Sequence, residues 1–339
     1  MPFNIIRNDI TRLETDAIVN AANVHLKEGG GVCGAIFAAA GKEKLQKACD
    51  KIGGCNVGEA VITKGFGLKA SYIIHTVGPV YGKDPLNEEK QLYSCYLNSL
   101  ELAKNNNLNS IAFPLISSGI YGYPKAEAIK IATRAIKDFL AENEMTVFLV
   151  VYDKASFSIS EKLFSDVASY IDDRMVKVER RRTEVYNSFS MAEASDEDYA
   201  CIPNFIAAPK PMMSANSKKS LKDFLNTKTE TFSEMLFRLI DQKGYTDVEV
   251  YKRANIDRKL FSKMRKKDYV PKKATVFALI IALRLNMADA KILLSRAGFA
   301  FNESSKFDLI IEYFIENENY DIFEINETLF AFEQQLLGA

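Results

Sequence analysis

Six short apolar runs alternate with helical stretches over the first 172 residues, and that alternation limits the fold more than anything else in the chain. The runs are FNIIR, AIVNA, EAVITKG, SYIIHTV, SIAFPLI and TVFLVVYD, read as strands. Between them lie NEEKQLYSCYLNSLELAKNN and YPKAEAIKIATRAIKDFLAEN. In the first, Leu92, Tyr93, Tyr96, Leu100 and Ala103 recur at helical spacing. In the second, Pro124 suits a first-turn position. A strand as continuously apolar as VFLVV fits a sheet covered on both faces. Strands alternating with helices predict a three-layer α/β domain over 1–172, closed by a helix at SISEKLFSDVASYIDD.

The character then changes. Residues 173–229 open on the charge run RMVKVERRR and continue with scattered Pro and Ser and no steady period, which reads as a flexible linker. Residues 230–339 are helical in pattern and almost free of proline, an all-α domain with its core at about 230–300. TFSEMLFRLIDQKG carries a Thr or Ser cap and stops at Gly244. No internal repeat is present.

Composition removes several function classes. Basic and acidic residues balance at 44 each, so attraction to a polyanion must come from a local patch. The five cysteines (33, 49, 55, 95 and 201) are odd in number and form no C-x-x-C, against a disulfide framework or zinc ribbon and in favour of a reducing interior. Cys and His do not cluster at metal-ligand spacing, so no metal is expected. No apolar run approaches membrane-span length, and MPFNIIRNDI lacks a signal-peptide pattern. A cytoplasmic protein without membrane contact is the expectation.

The stretch NAANVHLKEGGGVCGAIF, residues 20–37, places three glycines before an apolar helix, with neither a Walker lysine nor G-x-G-x-x-G. Backbone N–H groups at a helix N-terminus can hold a phosphate without lysine. A second turn, PLISSGIYGYP (114–124), follows a buried strand and precedes a helix. In open α/β sheets ligands bind beyond the carboxyl ends of strands, so the two turns can close on one diphosphate. Asn20 and Asn23 open the first turn, and a side-chain amide suits ribose hydroxyls because both donate and accept.

These pieces resemble a known family. NDIT after the first strand, AIVNAAN, GGGV, YIIHTVGP and SSGIYGYP, in that order, make residues 1–172 look like a macro domain, a module that binds ADP-ribose. The resemblance implies a central mixed sheet between helices, and roles for particular positions. Asp9, with Ile10 beside it, would accept from the adenine amino group, and Tyr152 would stack on the ring. Asn23 would hold the distal ribose. Gly30, Gly31 and Val32 would form the first diphosphate turn, and Ser117, Gly119, Ile120 and Tyr121 the second. Asn20 and His75 would support the site from inside the fold, and His25 is a further candidate contact. Many members hydrolyse ADP-ribosyl or O-acetyl-ADP-ribose esters without a metal. One subclass has an aspartate directly after GGGV, where this chain has Cys33; others have a small residue there. The catalytic candidates are Asn23, which would orient the ribose, and Gly31, in the turn near the reacting water. No cofactor is implied, with ADP-ribose as ligand or product and an ADP-ribosylated protein as partner.

A second cluster lies between Tyr251 and Lys273, where ten basic residues face only Asp257 and Asp268. DVEVYKRA, the turn NID and RKLFSKMRKK resemble the helix-turn-helix of phage-repressor-like regulators. Asn255 can take the left-handed conformation the turn requires. Arg258, Lys259, Ser262, Lys263 and Lys266 would be exposed, and Leu260, Phe261 and Met264 would pack inward. That arrangement implies a DNA or protein partner. Two functions are thus open: a hydrolase with a helical targeting module, or a non-catalytic ADP-ribose sensor coupled to DNA binding.

Overall fold

The computed structural model describes residues 2–152, 161–193, 230–266 and 269–338. Six strands, β1 (Phe3–Arg7), β2 (Ala17–Ala21), β3 (Ala60–Lys64), β4 (Tyr72–Thr76), β5 (Ser110–Pro114) and β6 (Thr146–Val151), form one sheet in the order β1-β6-β5-β2-β4-β3. β3 runs antiparallel to β4, and every other pair is parallel, giving the mixed sheet. Both faces are covered because the strands are apolar at successive positions. Ile18 packs on the face carrying α1 (Gly31–Ala40) and α2 (Lys42–Ile52), with Ile36, Phe37 and Leu45. Ala17 and Val19 pack on the face carrying α3 (Glu88–Asn105) and α4 (Lys125–Glu142), with Tyr96, Leu100 and Ile136.

A single helix, α5 (Glu161–Glu193), leaves this layer. Residues 173–193, expected in a flexible linker, are therefore helical, while 194–229 lie outside the described residues. The reason is an apolar stripe running beneath the charge run: Leu163, Val167, Ile171 and Met175 recur every fourth residue and pack on the helical core. The basic residues above it pair with acids of the next domain, Arg174 with Glu316 (2.7 Å) and Arg181 with Glu303 (3.1 Å).

Among the described residues seven helices follow: α6 (Phe232–Lys243), α7 (Asp247–Arg253), α8 (Arg258–Lys263), α9 (Lys273–Ala282), α10 (Met287–Arg296), α11 (Lys306–Glu316) and α12 (Ile322–Ala331). Capping boxes start two of them, Thr231 with Glu234 and Thr246 with Glu249, and Gly244 ends α6 in the left-handed conformation. α9 is buried almost throughout and is the axis of the bundle. Among the described residues no helix is long and apolar enough to cross a membrane.

The helical region is packed directly on the sheet domain. The Asn255 side chain mimics a strand partner for the edge of β1, accepting from Phe3 N–H at 2.7 Å and donating to Phe3 C=O at 2.8 Å. Tyr251 donates to Glu144 (2.7 Å), Lys252 to the Ala141 carbonyl (2.7 Å), and the Phe3 and Phe323 rings lie 5.7 Å apart. The contact covers β1 at its N-terminal end and the outer side of α4.

Glu327 of α12 is buried in this interface, where Thr133 of α4 donates to it. Burial pushes its carboxyl up to about 7, against the opposing bond from Thr133; Glu324 and Asp321 on its own helix raise it and Lys130 of α4 lowers it. Since the folded value lies above the ordinary 4.5, the folded protein holds the proton more tightly than the unfolded chain. The stabilisation is full below about pH 4.5 and lost as pH rises through about 7, a change of up to about 3 kcal/mol. Denaturant unfolding at a series of pH values should show this decline in the parent protein and a flatter profile in Glu327→Gln; parallel profiles would contradict it.

Candidate functional site

At the carboxyl ends of β1, β2, β5 and β6 the chain encloses a cavity of about 640 Å³. Its lining contains all eleven residues singled out for ligand contact: Asp9, Ile10, Asn23, Gly30, Gly31, Val32, Ser117, Gly119, Ile120, Tyr121 and Tyr152. Asn20, His25 and His75 are not in the lining. No described residue of the helical region lines it either, so the bundle covers the opposite end of the sheet and leaves the mouth open.

The first turn comes off β2. α1 begins at Gly31 with φ +61°, a conformation that favours glycine, and its N-cap Gly30 makes no side-chain cap bond. The first N–H groups of this ten-residue helix thus have no side-chain cap, and Gly30, Gly31 and Val32 line the cavity. Asn23 is fixed by its own loop: Oδ1 accepts from the N–H groups of His25 (3.2 Å) and Lys27 (3.1 Å), and Nδ2 donates to Lys27 C=O (2.7 Å). One Nδ2 hydrogen is left, so Asn23 can present a donor to a bound group.

Beneath the turn is a buried polar chain. Asn20 Nδ2 contacts Cys33 Sγ (3.6 Å) and His75 Nδ1 (3.1 Å), and His75 Nε2 contacts Thr63 Oγ1 (2.9 Å). Burial drives the His75 pKa down to about 4, so the ring is neutral at pH 7. Burial also raises the Cys33 thiol, partly offset by its contact with Asn20. Cys33 is therefore a protonated, small side chain packed under the helix start, and it is no substitute for a carboxylate base.

The second turn is anchored from α3. Fully buried Tyr96 accepts from Ile116 N–H at 3.0 Å, fixing the chain as it leaves β5. Tyr123 N–H to Ser117 C=O (2.9 Å) and Gly122 N–H to Gly119 C=O (3.0 Å) close the loop, and Tyr81 N–H bonds Tyr121 C=O (2.9 Å). The two turns meet across the cleft: a Cβ on Gly30 would stand 3.2 Å from Ile120 Cδ1.

At the other end of the cavity, Asp9 caps a short 3-10 turn, with Oδ1 accepting from Thr11 N–H (3.0 Å) and Thr11 Oγ1–H (2.7 Å). The Thr11 hydroxyl is the main reason its pKa lies below the usual carboxylate value. Among the described residues Oδ2 meets only Arg12, at 3.5 Å, so an ionised acceptor remains available. Tyr152 follows β6, is 79% exposed and lines the cavity, where its ring is open to a bound group. Among the described residues no three His, Cys, Asp or Glu side chains gather as a metal site.

The sequence reading missed several lining residues, including Ala21, Ala22, Gly78, Leu115 and Ile116. Gly78 carried a signal, a glycine directly after a strand-like run in YIIHTVGP.

Residues 19–132 match the family model described as Macro domain. A macro domain-containing protein of Methanosarcina mazei is 48% identical over 167 residues, spanning 49% of this chain and 89% of the relative. The chain belongs to the macro domain family. An Escherichia fergusonii macro domain relative, named O-acetyl-ADP-ribose deacetylase, is 45% identical over 169 residues, 48% of this chain and 95% of its own length. The human protein named ADP-ribose glycohydrolase MACROD2 is 43% identical over 199 residues, 58% of this chain and 44% of the human chain.

Proposed function

We propose that the macro domain of this chain binds ADP-ribose and hydrolyses ADP-ribosyl esters, either mono-ADP-ribose on a protein or O-acetyl-ADP-ribose, without a metal. The observation carrying this is the single 640 Å³ cavity into which an ionised acceptor, an exposed aromatic ring, two glycine turns and a fixed amide all open. The names of the E. fergusonii and human relatives support the same reading. Asp9 Oδ2 accepts from the adenine amino group and Tyr152 covers the ring. The N–H groups of Gly30, Gly31 and Val32 and of the turn from Ser117 to Tyr121 hold the diphosphate. The remaining Nδ2 hydrogen of Asn23 fixes the distal ribose beside a water near Gly31. The water oxygen attacks the ester carbonyl carbon as its proton passes to a ligand phosphate oxygen. The bond between the acyl carbon and the ribose oxygen then breaks, and that oxygen leaves as a hydroxyl by taking the proton back from the phosphate, with the carboxylic acid as the other product. The turn N–H groups stabilise the charge that develops. Cys33, held as a thiol, takes no part in the proton transfer.

Release of ADP-ribose from an auto-ADP-ribosylated protein, and of acetate from O-acetyl-ADP-ribose, tests the proposal. Turnover no higher than in Asn23→Ala, together with tight ADP-ribose binding, would establish a sensor instead of an enzyme.

A second reading concerns the helical region. Arg258, Lys259, Lys263 and Lys266 are all exposed along one segment, while Phe261 and Met264 are buried beneath it. This supports a phosphate-backbone contact that would deliver the macro domain to nucleic acid. α8 has six residues, too short to argue base recognition. Mobility shift on duplex DNA at two salt concentrations checks it, since such binding must weaken steeply with salt; no shift at low salt would exclude it.

A further inference from the structure

Ser117, in the cavity lining, carries two costs at once. Its backbone sits at φ +63°, a region a side chain rarely adopts. Its hydroxyl is buried with no hydrogen-bond partner among the described residues. A left-handed non-glycine residue and an unpaired buried hydroxyl are each destabilising, and together at one turn they mark a conformation imposed by its surroundings. The surroundings are specific. A Cβ on Gly78 would lie 2.1 Å from Ser117 Oγ and 2.7 Å from Ile116 Cγ2, distances at which no side chain is accommodated without movement. The Ser117 hydroxyl thus occupies the space that a side chain at 78 would fill. Gly78 does not have a positive φ, so its backbone would accept another residue. The requirement for glycine there is contact alone.

We propose that Gly78 is a positioning residue for ligand binding: its missing side chain is the seat of Ser117, and that seat holds the second turn in the left-handed conformation that faces the diphosphate. This rests on the ADP-ribose reading above. Gly78 lies just past β4 and lines the cavity wall, so the seat is built on the sheet. The turn it supports is otherwise held by Tyr96, Tyr81, the Ser118 hydroxyl on Leu115 C=O and its own backbone bonds, none of which fixes the Ser117 side chain. An alanine at 78 must push Ser117 out, and the Ser117 N–H and the Gly119 to Tyr121 segment move with it.

The test uses the full chain and calorimetry with ADP-ribose, alongside thermal melting without ligand. Gly78→Ala should weaken ADP-ribose about tenfold or more, the scale of a misfitted buried methyl. Ser117→Gly, which removes both the hydroxyl and the Cβ and suits a positive φ, should melt no lower than the parent. The double variant Gly78→Ala with Ser117→Gly should recover part of the lost affinity, because it removes the 2.1 Å contact with Ser117 Oγ while the 2.7 Å contact with Ile116 Cγ2 stays, a coupling expected of groups in contact. If Gly78→Ala is insoluble, a soluble double variant that binds carries the same conclusion. Parent-like binding by Gly78→Ala, or a double variant that is as weak as Gly78→Ala or insoluble, would overturn the inference while leaving the ADP-ribose reading intact. A parent protein that binds no ADP-ribose would overturn both.

Discussion

Asp9→Asn should weaken ADP-ribose binding by about a hundredfold and narrow the preference for adenine over hypoxanthine by more than that, because one face of the recognition reverses. The geometry determines which way the new amide points. Oδ1 of Asp9 accepts from the Thr11 N–H at 3.0 Å and from its hydroxyl at 2.7 Å. The backbone N–H can only donate, so the asparagine keeps its oxygen there and its NH2 replaces Oδ2. In the proposed complex, Oδ2 meets the adenine amino group; after substitution a donor meets a donor. Hypoxanthine carries a carbonyl oxygen at the same place and is repelled by the carboxylate but accepted by the amide. The Asp9 pKa is already held below the usual value by Thr11, so the carboxylate is ionised throughout the neutral range. The check is calorimetry of both proteins with ADP-ribose and its inosine counterpart. An unchanged ratio of the two affinities would place the adenine elsewhere, whatever happened to the absolute values.

That prediction was available only in part from the sequence. NDIT marked Asp9 as a candidate, but not which oxygen was free; that depends on Thr11, two residues on. The six strands were legible because strands covered on both faces are apolar at successive positions and are bounded by turn residues. The two glycine turns were legible because phosphate cradles use backbone N–H groups, and glycine before a helix is how a sequence exposes them. Gly78 was passed over although YIIHTVGP was read, since its role lies in contact with Ser117, thirty-nine positions away. The charge run after 172 misled for a related reason. Local composition suggested a solvated linker, whereas Arg174 and Arg181 have partners, Glu316 and Glu303, more than a hundred residues later. The four-residue stripe from Leu163 to Met175 was the signal that the helix continued.

Asn255 shows the same limit from the other side, and its replacement should have the largest effect on stability. The sequence indicated a left-handed residue in the turn after DVEVYKRA, and Asn255 has φ +54°. It did not indicate that the side chain would close the edge of the sheet. Asn255 is buried, and its amide is the partner of both Phe3 N–H and Phe3 C=O, with a longer bond to Leu337 C=O at 3.4 Å. An edge strand with unpaired groups buried under a helical domain is costly unless something satisfies them. Asn255→Ala removes that partner and keeps the left-handed strain, so it should destabilise by about 3–7 kcal/mol, from about 1–3 for each of the two orphaned Phe3 groups and about 1 for alanine at positive φ. Asn255→Gly relieves the backbone and loses the same bonds, so it should recover only about 1 kcal/mol of that loss. The comparison separates the two roles of the residue. Urea unfolding of the three proteins, followed by far-ultraviolet circular dichroism, gives the values. If glycine restored parent stability, the backbone conformation alone would be what Asn255 supplies. If alanine were harmless, the hydrogen bonds to β1 would contribute nothing, and the helical region would not be fastened to the sheet by this turn. The measurement also bears on function. The cavity lies at the carboxyl ends of the strands and Asn255 at the amino end of β1, so Asn255→Ala, assayed below its unfolding transition, should bind ADP-ribose as the parent does.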